Sequence, residues 1–93
     1  MIKSFADPET KAFFDTGKSR RLPTEINKRA TMRLLQLAAA VVVEDLSMPS
    51  SNRLEALKGS RAGQWSIRIN AQWRVCFTFV NGNAYDVQIV DYH

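Results

Sequence analysis

Residues 64–93 read QWSIRINAQWRVCFTFVNGNAYDVQIVDYH, and their patterning decides the fold class. Trp65, Ile67 and Ile69 alternate with Ser66, Arg68 and Asn70. Trp73, Val75, Phe77 and Phe79 alternate with Arg74, Cys76 and Thr78. Strict alternation gives a strand one apolar and one polar face. Asn81-Gly82 predicts a type I′ hairpin turn, because both central residues of that turn need positive φ. The stretch is expected to form three short strands joined by two tight turns. Its polar face, with His93 at the end, is where chemistry is expected. Trp65 and Trp73 share parity with the core positions, so burial is expected for them rather than base stacking.

Upstream, Gly59 to Gly63 reads as a turn and Leu54 to Lys58 as a short strand. Ser47 to Asn52 reads as a loop. Ile26, Ala30, Leu34, Leu37 and Val41 recur at spacings of three and four, one stripe of a helix that covers the sheet's apolar face. Thr24 is expected to cap this helix, which runs to about Ala40 with a helical turn continuing through Leu46. Met32, Leu35 and Ala39 make a second patch, expected to meet the first helix, with another protein as the alternative. Arg29 and Arg33 stand at the stripe's border, where their heads can reach solvent. An earlier helix is predicted from Pro8 to Thr16, capped by Asp7 and ended by Gly17, with Phe13 and Phe14 in the core. Ile2 to Phe5 reads as a short edge strand. Helices followed by antiparallel strands predict an α+β domain: two N-terminal helices on one face of a small antiparallel sheet.

A chain of 93 residues makes one domain, spanning 1–93. No apolar run approaches the ~20 residues of a membrane span, and the start lacks a secretory signal's apolar stretch. A lone cysteine, Cys76, is expected to be a small strand residue in a reducing cytoplasm. One cysteine and one histidine argue against a structural zinc site. The net charge of +4 is unevenly placed. Lys18, Arg20, Arg21, Lys28, Arg29 and Arg33 face the single acid Glu25 within that segment. Such a block favours a polyanion, most simply nucleic acid; the alternative is a solvated helix face. The open sheet face carries Arg68 and Arg74, with Lys58 nearby if its strand pairs beside the meander, and suits an RNA chain.

Asn52-Arg53-Leu54-Glu55-Ala56-Leu57-Lys58-Gly59, Arg61-Ala62-Gly63, Ser66-Ile67-Arg68-Ile69-Asn70, Gln72-Trp73-Arg74-Val75-Cys76-Phe77 and the terminal Asp91-Tyr92-His93 closely resemble the HigB toxins of the RelE-like superfamily. The opening Ile2 to Phe5 and the Phe14 to Gly17 segment fit as well. The resemblance implies a RelE-like fold and a cytoplasmic, ribosome-dependent mRNA endonuclease that enters the ribosomal A site and stops translation. It also implies a cognate, HigA-like antitoxin with a helix-turn-helix domain, and no membrane partner. The alternative is a basic module that binds RNA or the antitoxin without cutting.

RNA carries its own nucleophile, the 2′-OH. Cleavage needs a base for that proton, a cation for the phosphorane charge and an acid for the 5′-oxygen. The sequence has no acidic metal-binding cluster, so a metal-free route without a cofactor is expected. His93 titrates nearest neutrality and matches the family's terminal histidine. Asp91 can orient the imidazole or cap a strand; Tyr92 can stack on a base or donate a proton. Lys58 and Arg74 match family positions associated with the RNA backbone and transition state, and Arg74 offers a planar fork for phosphate. Arg61 and Arg68 are expected to position RNA, and Arg20, Arg21, Lys28, Arg29 and Arg33 to bind it. Glu55 departs from the family, since some HigB toxins have a catalytic histidine there. It can accept a proton, but its charge opposes phosphate. Strand parity puts Asp91 and His93 with Val87 and Ile89, and Tyr92 with Gln88. The three converge only if the chain end bulges or bends.

Overall fold

Asp7 and Pro8 set where the first helix starts. The computed structural model describes residues 1–92. In it the Asp7 carboxylate accepts a hydrogen bond from the Thr10 N–H at 2.6 Å and Pro8 opens α1 (Pro8–Thr16). Gly17 closes it in the left-handed region at φ 77°, a conformation glycine adopts without steric cost. Phe13 is buried, while Phe14 is half-buried and packs on Phe5 with ring centroids 5.7 Å apart.

α2 (Asn27–Ala39) follows a single 3-10 turn, Thr24–Ile26. Thr24 makes no side-chain cap, contrary to expectation; the 3-10 turn leads the chain into the helix instead. The stripe Ile26, Ala30, Leu34 and Leu37 is buried, but Val41 is 71 % exposed. The reason is local: Ala40 turns to extended backbone at φ −66°, ψ 137°, and ends the helix. Leu46, on a 3-10 turn at Val43–Ser47, enters the core. Met32, Leu35 and Ala39 face outward and do not meet α1.

The turn after α2 is held by one carboxylate. Asp45 accepts from the N–H groups of Val41 at 2.9 Å and Val42 at 3.1 Å, and these bonds hold its carboxyl below the ordinary value. A group whose folded pKa is depressed stabilises the fold above its unfolded pKa, about 3.9 for Asp. That contribution is lost as pH falls through the lower folded value. Asp45→Ala is therefore expected to lower Tm at neutral pH, and the gap from wild type to close in strong acid. A gap that stays constant with pH would show that the charge is not its source.

Four strands form one antiparallel sheet in the order β1 (Glu55–Ala56), β2 (Trp65–Arg68), β3 (Trp73–Val80), β4 (Asn83–Asp91). The strand expected over Leu54 to Lys58 is only two residues long. The Asn81-Gly82 turn has the expected positive φ at both residues, 50° and 80°. A Cβ on Gly82 would also meet the Val41 carbonyl at 3.3 Å. The β2–β3 turn is built on Asn70, whose side chain accepts from the N–H groups of Gln72 and Trp73. Ile67, Val75 and Ile89 pair across the sheet's inner face, and with Phe77 and Val87 they join the helix stripe in one core. Trp65 and Trp73 pack half-buried against that core.

Ile2 and Phe5 bridge β4 in parallel at Ala84 and Val87. Beyond them the Thr10 hydroxyl accepts from Ile89 N–H at 3.1 Å and Arg21 donates to the Ile89 carbonyl at 3.2 Å. The β4 edge is thus satisfied by α1 and the segment that follows it, as buried backbone groups require. A bulge at Asp86, with φ 53°, shifts the β3–β4 register between Thr78 and Cys76. No helix among the described residues is long and apolar enough to cross a membrane.

Candidate functional site

The register places a row of side chains across the outer face: Glu55 opposite Ser66, Ser66 opposite Cys76, Cys76 opposite Gln88. Arg74 lies two residues along β3, on the same face. Its Nη1 donates to Ser66 Oγ at 2.7 Å and to the Arg53 carbonyl at 3.4 Å, and lies 3.6 Å from Glu55 Oε1. Its guanidinium carbon stands 5.0 Å from the centroid of the Tyr92 ring, within cation–π range. The side chain is only 14 % exposed. Its Nε and Nη2 make no hydrogen bond among the described residues.

Glu55, Ala56, Leu57, Lys58 and Tyr92 surround an open hollow of about 300 Å³ beside this cluster. Lys58 therefore stands beside the cluster, though it lies past the end of β1, ahead of the 3-10 turn at Gly59–Arg61, and not on a strand as expected. Its ammonium has no hydrogen bond or ion pair among the described residues and faces solvent. Glu55 forms an ion pair with Arg74, which partly offsets its charge.

The floor is less bare than expected. Ser66 and Cys76 are fully buried. Burial pushes the Cys76 thiol up, with the nearby Arg61 and Arg74 pulling against it. A neutral, covered thiol is a packing residue rather than a nucleophile. Arg61 is turned toward Gln64, donating to its Oε1 at 2.9 Å.

The chain end divides as strand parity requires. Tyr92 reaches the Arg74 cluster, and its N–H donates to the Gln72 carbonyl at 2.6 Å. Asp91 is opposite Trp73, and its Oδ2 accepts from the Gln72 side chain at 3.1 Å. The Asp86 bulge lies upstream and does not bring Asp91 onto the face of Tyr92. His93, the first candidate for proton transfer, lies outside the described residues.

The basic block is partly used by the fold. Arg33 is only 7 % exposed, and its Nε donates to the Arg68 carbonyl at 2.8 Å. Burial, and then Arg29, hold its guanidinium below the usual pKa. The expectation that its head reaches solvent is therefore wrong. A strand-end carbonyl over α2 captures it. Arg29 donates to the Ile69 carbonyl at 3.3 Å and Arg21 lies 3.7 Å from Asp7 Oδ2. Lys18, Arg20 and Lys28 remain on the surface. Ser66 and Arg53 were missed by the sequence reading. Ser66 had a weak signal, its place on the polar side of a strand; Arg53 acts through a carbonyl and had none.

A family model described as "RelE-like toxin of type II toxin-antitoxin system HigB" matches residues 3–93. The chain is 38% identical over 93 residues to "Endoribonuclease HigB" of Proteus vulgaris, covering 100% of both chains. It is 38% identical over 85 residues to "Toxin HigB-1" of Vibrio cholerae, covering 90% of each. Among solved structures, the YoeB–YefM complex of Staphylococcus aureus superposes with a TM-score of 0.62 at 16% identity, over 100% of this chain and 98% of the other. A YafQ variant from E. coli superposes with a TM-score of 0.60 at 14% identity, over 98% and 91%. At those identities the structural likeness speaks for the fold alone.

Proposed function

The chain belongs to the HigB family of RelE-like toxins of type II toxin–antitoxin systems, and we propose that it is an endoribonuclease that cuts mRNA on translating ribosomes at the cluster around Arg74. One observation carries the placement. Arg74 is clamped through Nη1 by Ser66 and Glu55, its Nε and Nη2 make no hydrogen bond among the described residues, and its neighbours Glu55 and Tyr92 line a hollow with Lys58. A preorganised guanidinium stabilises developing phosphorane charge without reorganising during the reaction. The 2′-oxygen attacks the adjacent phosphorus, the bond to the 5′-oxygen breaks, and the products are a 2′,3′-cyclic phosphate and a 5′-hydroxyl. A base takes the 2′-OH proton and an acid supplies one to the leaving 5′-oxygen.

His93 supplies one of these proton transfers. Lys58 brings a second cation to the phosphate, and Tyr92 lays its ring against the ribose or base. Glu55 holds Arg74 in place until phosphate displaces it. Arg20, Lys28 and their neighbours hold the ribosome by charge. A helix-turn-helix antitoxin is the neutralising partner, in keeping with relatives solved as toxin–antitoxin complexes.

Brief induction in bacteria followed by mapping of mRNA 5′ ends tests this reading. New ends inside translated frames are expected for wild type and not for His93→Ala, and a naked transcript should stay intact. Growth inhibition without new ends would mean a binder that does not cut. Cleavage of free RNA would remove the ribosome from the account.

A further inference from the structure

A second cationic hollow lies apart from the Arg74 cluster. It is about 370 Å³ in volume and lined by Arg29, Arg33, Arg53, Arg68, Ser51 and Asn70, among others. Among the described residues no carboxylate lines it. An adjoining hollow along α2 shares Arg29 and Arg33 and has one acid, Glu25, on its wall.

Among the described residues none of the four guanidiniums has an ion pair. Arg29 and Arg33 each spend one N–H on a backbone carbonyl, of Ile69 and Arg68, and the Arg53 and Arg68 side chains make no hydrogen bond there. Arg68 also stands directly opposite Arg74 across β2 and β3. Like charges in that position are destabilising. Four clustered cations without a counterion favour an anion, and the planar guanidinium fork fits phosphate oxygens. The lowered pKa of Arg33 agrees with a buried charge lacking a counterion.

We propose that the hollow between α2 and the β2–β3 turn is a phosphate subsite for an RNA strand, with the exposed Arg53 and the half-buried Arg68 as its jaws and Arg29 and Arg33 as its wall. The anion site rests on this geometry; that the anion is RNA rests on the function proposed above. Arg68 links the subsite to Arg74 across the sheet, and the Arg53 carbonyl links it through Nη1 of Arg74. A strand with one phosphate at Arg74 can therefore place another here.

The test reads binding with an uncleavable probe, so it stands or fails apart from catalysis. A short 2′-O-methyl oligoribonucleotide is titrated into the full chain by fluorescence anisotropy over a range of salt. Arg53 has φ 46°, so Arg53→Asn suits its backbone, and Arg68→Gln removes a side chain without hydrogen bonds among the described residues. The double variant should flatten the plot of log K against log salt by about 0.7, the value for one lost phosphate contact on a single strand. Lys3→Gln, an exposed lysine remote from the hollow's lining, should change it much less.

Ribosome co-sedimentation forms the second arm. Loss with the oligonucleotide assigns the subsite to the message. Loss on ribosomes alone assigns it to ribosomal RNA. No loss in either arm overturns the proposal, as does an equal change in Lys3→Gln. Equal or tighter capture of a poly-glutamate peptide through the same residues would also overturn it, in favour of an acidic protein.

Discussion

Arg74→Ala is expected to slow cleavage of ribosome-bound mRNA by about 10²–10³-fold, the usual cost of losing a preorganised donor at developing negative charge. The loss should fall on the chemical step, because Arg74 is 14 % exposed and clamped rather than reaching out to capture RNA. Arg74→Lys should recover only part of the rate. An ammonium restores charge but cannot bond Ser66 and phosphate at once through a planar fork. Arg74→Ala also strands the Ser66 hydroxyl, whose hydrogen bond is to Arg74. Leaving a buried hydroxyl unpaired costs about 1–3 kcal/mol of stability, so single-turnover rates are compared well below Tm. Ser66→Ala separates the two effects. It removes the anchor and keeps the guanidinium, and should lower the rate less than Arg74→Ala does. A full rate in Arg74→Ala would move the site elsewhere.

Adjacent leucines on α2 should respond in opposite ways. Leu34 is wholly buried and Leu35 is 57 % exposed. Leu34→Ala is expected to cost about 2–5 kcal/mol, the lost transfer of the side chain plus the cavity it leaves. Leu35→Ala should stay within about 0.5 kcal/mol. A small domain holds roughly 5–15 kcal/mol in all, so the first change removes a large share of the total. Urea denaturation measures both through the midpoint at constant m. Similar losses would mean that α2 is rotated on the sheet and that the outward patch of Met32, Leu35 and Ala39 is covered after all.

The parts of this fold that local pattern controls were legible. Alternation from Trp65 to Phe79 determines which face each strand buries, and Asn81-Gly82 permits one kind of turn. Asp7-Pro8 and Gly17 mark both ends of α1. What failed depended on choices made beyond the local window. Helical spacing carried the stripe to Val41, but the chain becomes extended at Ala40, and Leu46 enters the core from the 3-10 turn that follows. Arg33 reads as a surface cation by composition, yet the Arg68 carbonyl lies above it.

The site divides in the same way. Lys58, Arg74 and Tyr92 match the family and Glu55 departs from it, and the fold gathers the four around one hollow and one guanidinium. Ser66 and Arg53 complete that cluster through register and through a left-handed turn at Arg53. Strand alternation marked Ser66 only as a polar-face residue, and nothing in the spacing marked Arg53. Asp91 and Tyr92 are neighbours in sequence but take different sides of the sheet, as period-two geometry demands.

The most direct measurement is a structure of the chain on a ribosome whose message carries a 2′-O-methyl group at the cut site. The account predicts a scissile-phosphate oxygen within about 3 Å of Nε or Nη2 of Arg74, with Glu55 displaced from its ion pair. A message whose scissile phosphate sits away from Arg74, with the Glu55 pair intact, would contradict it.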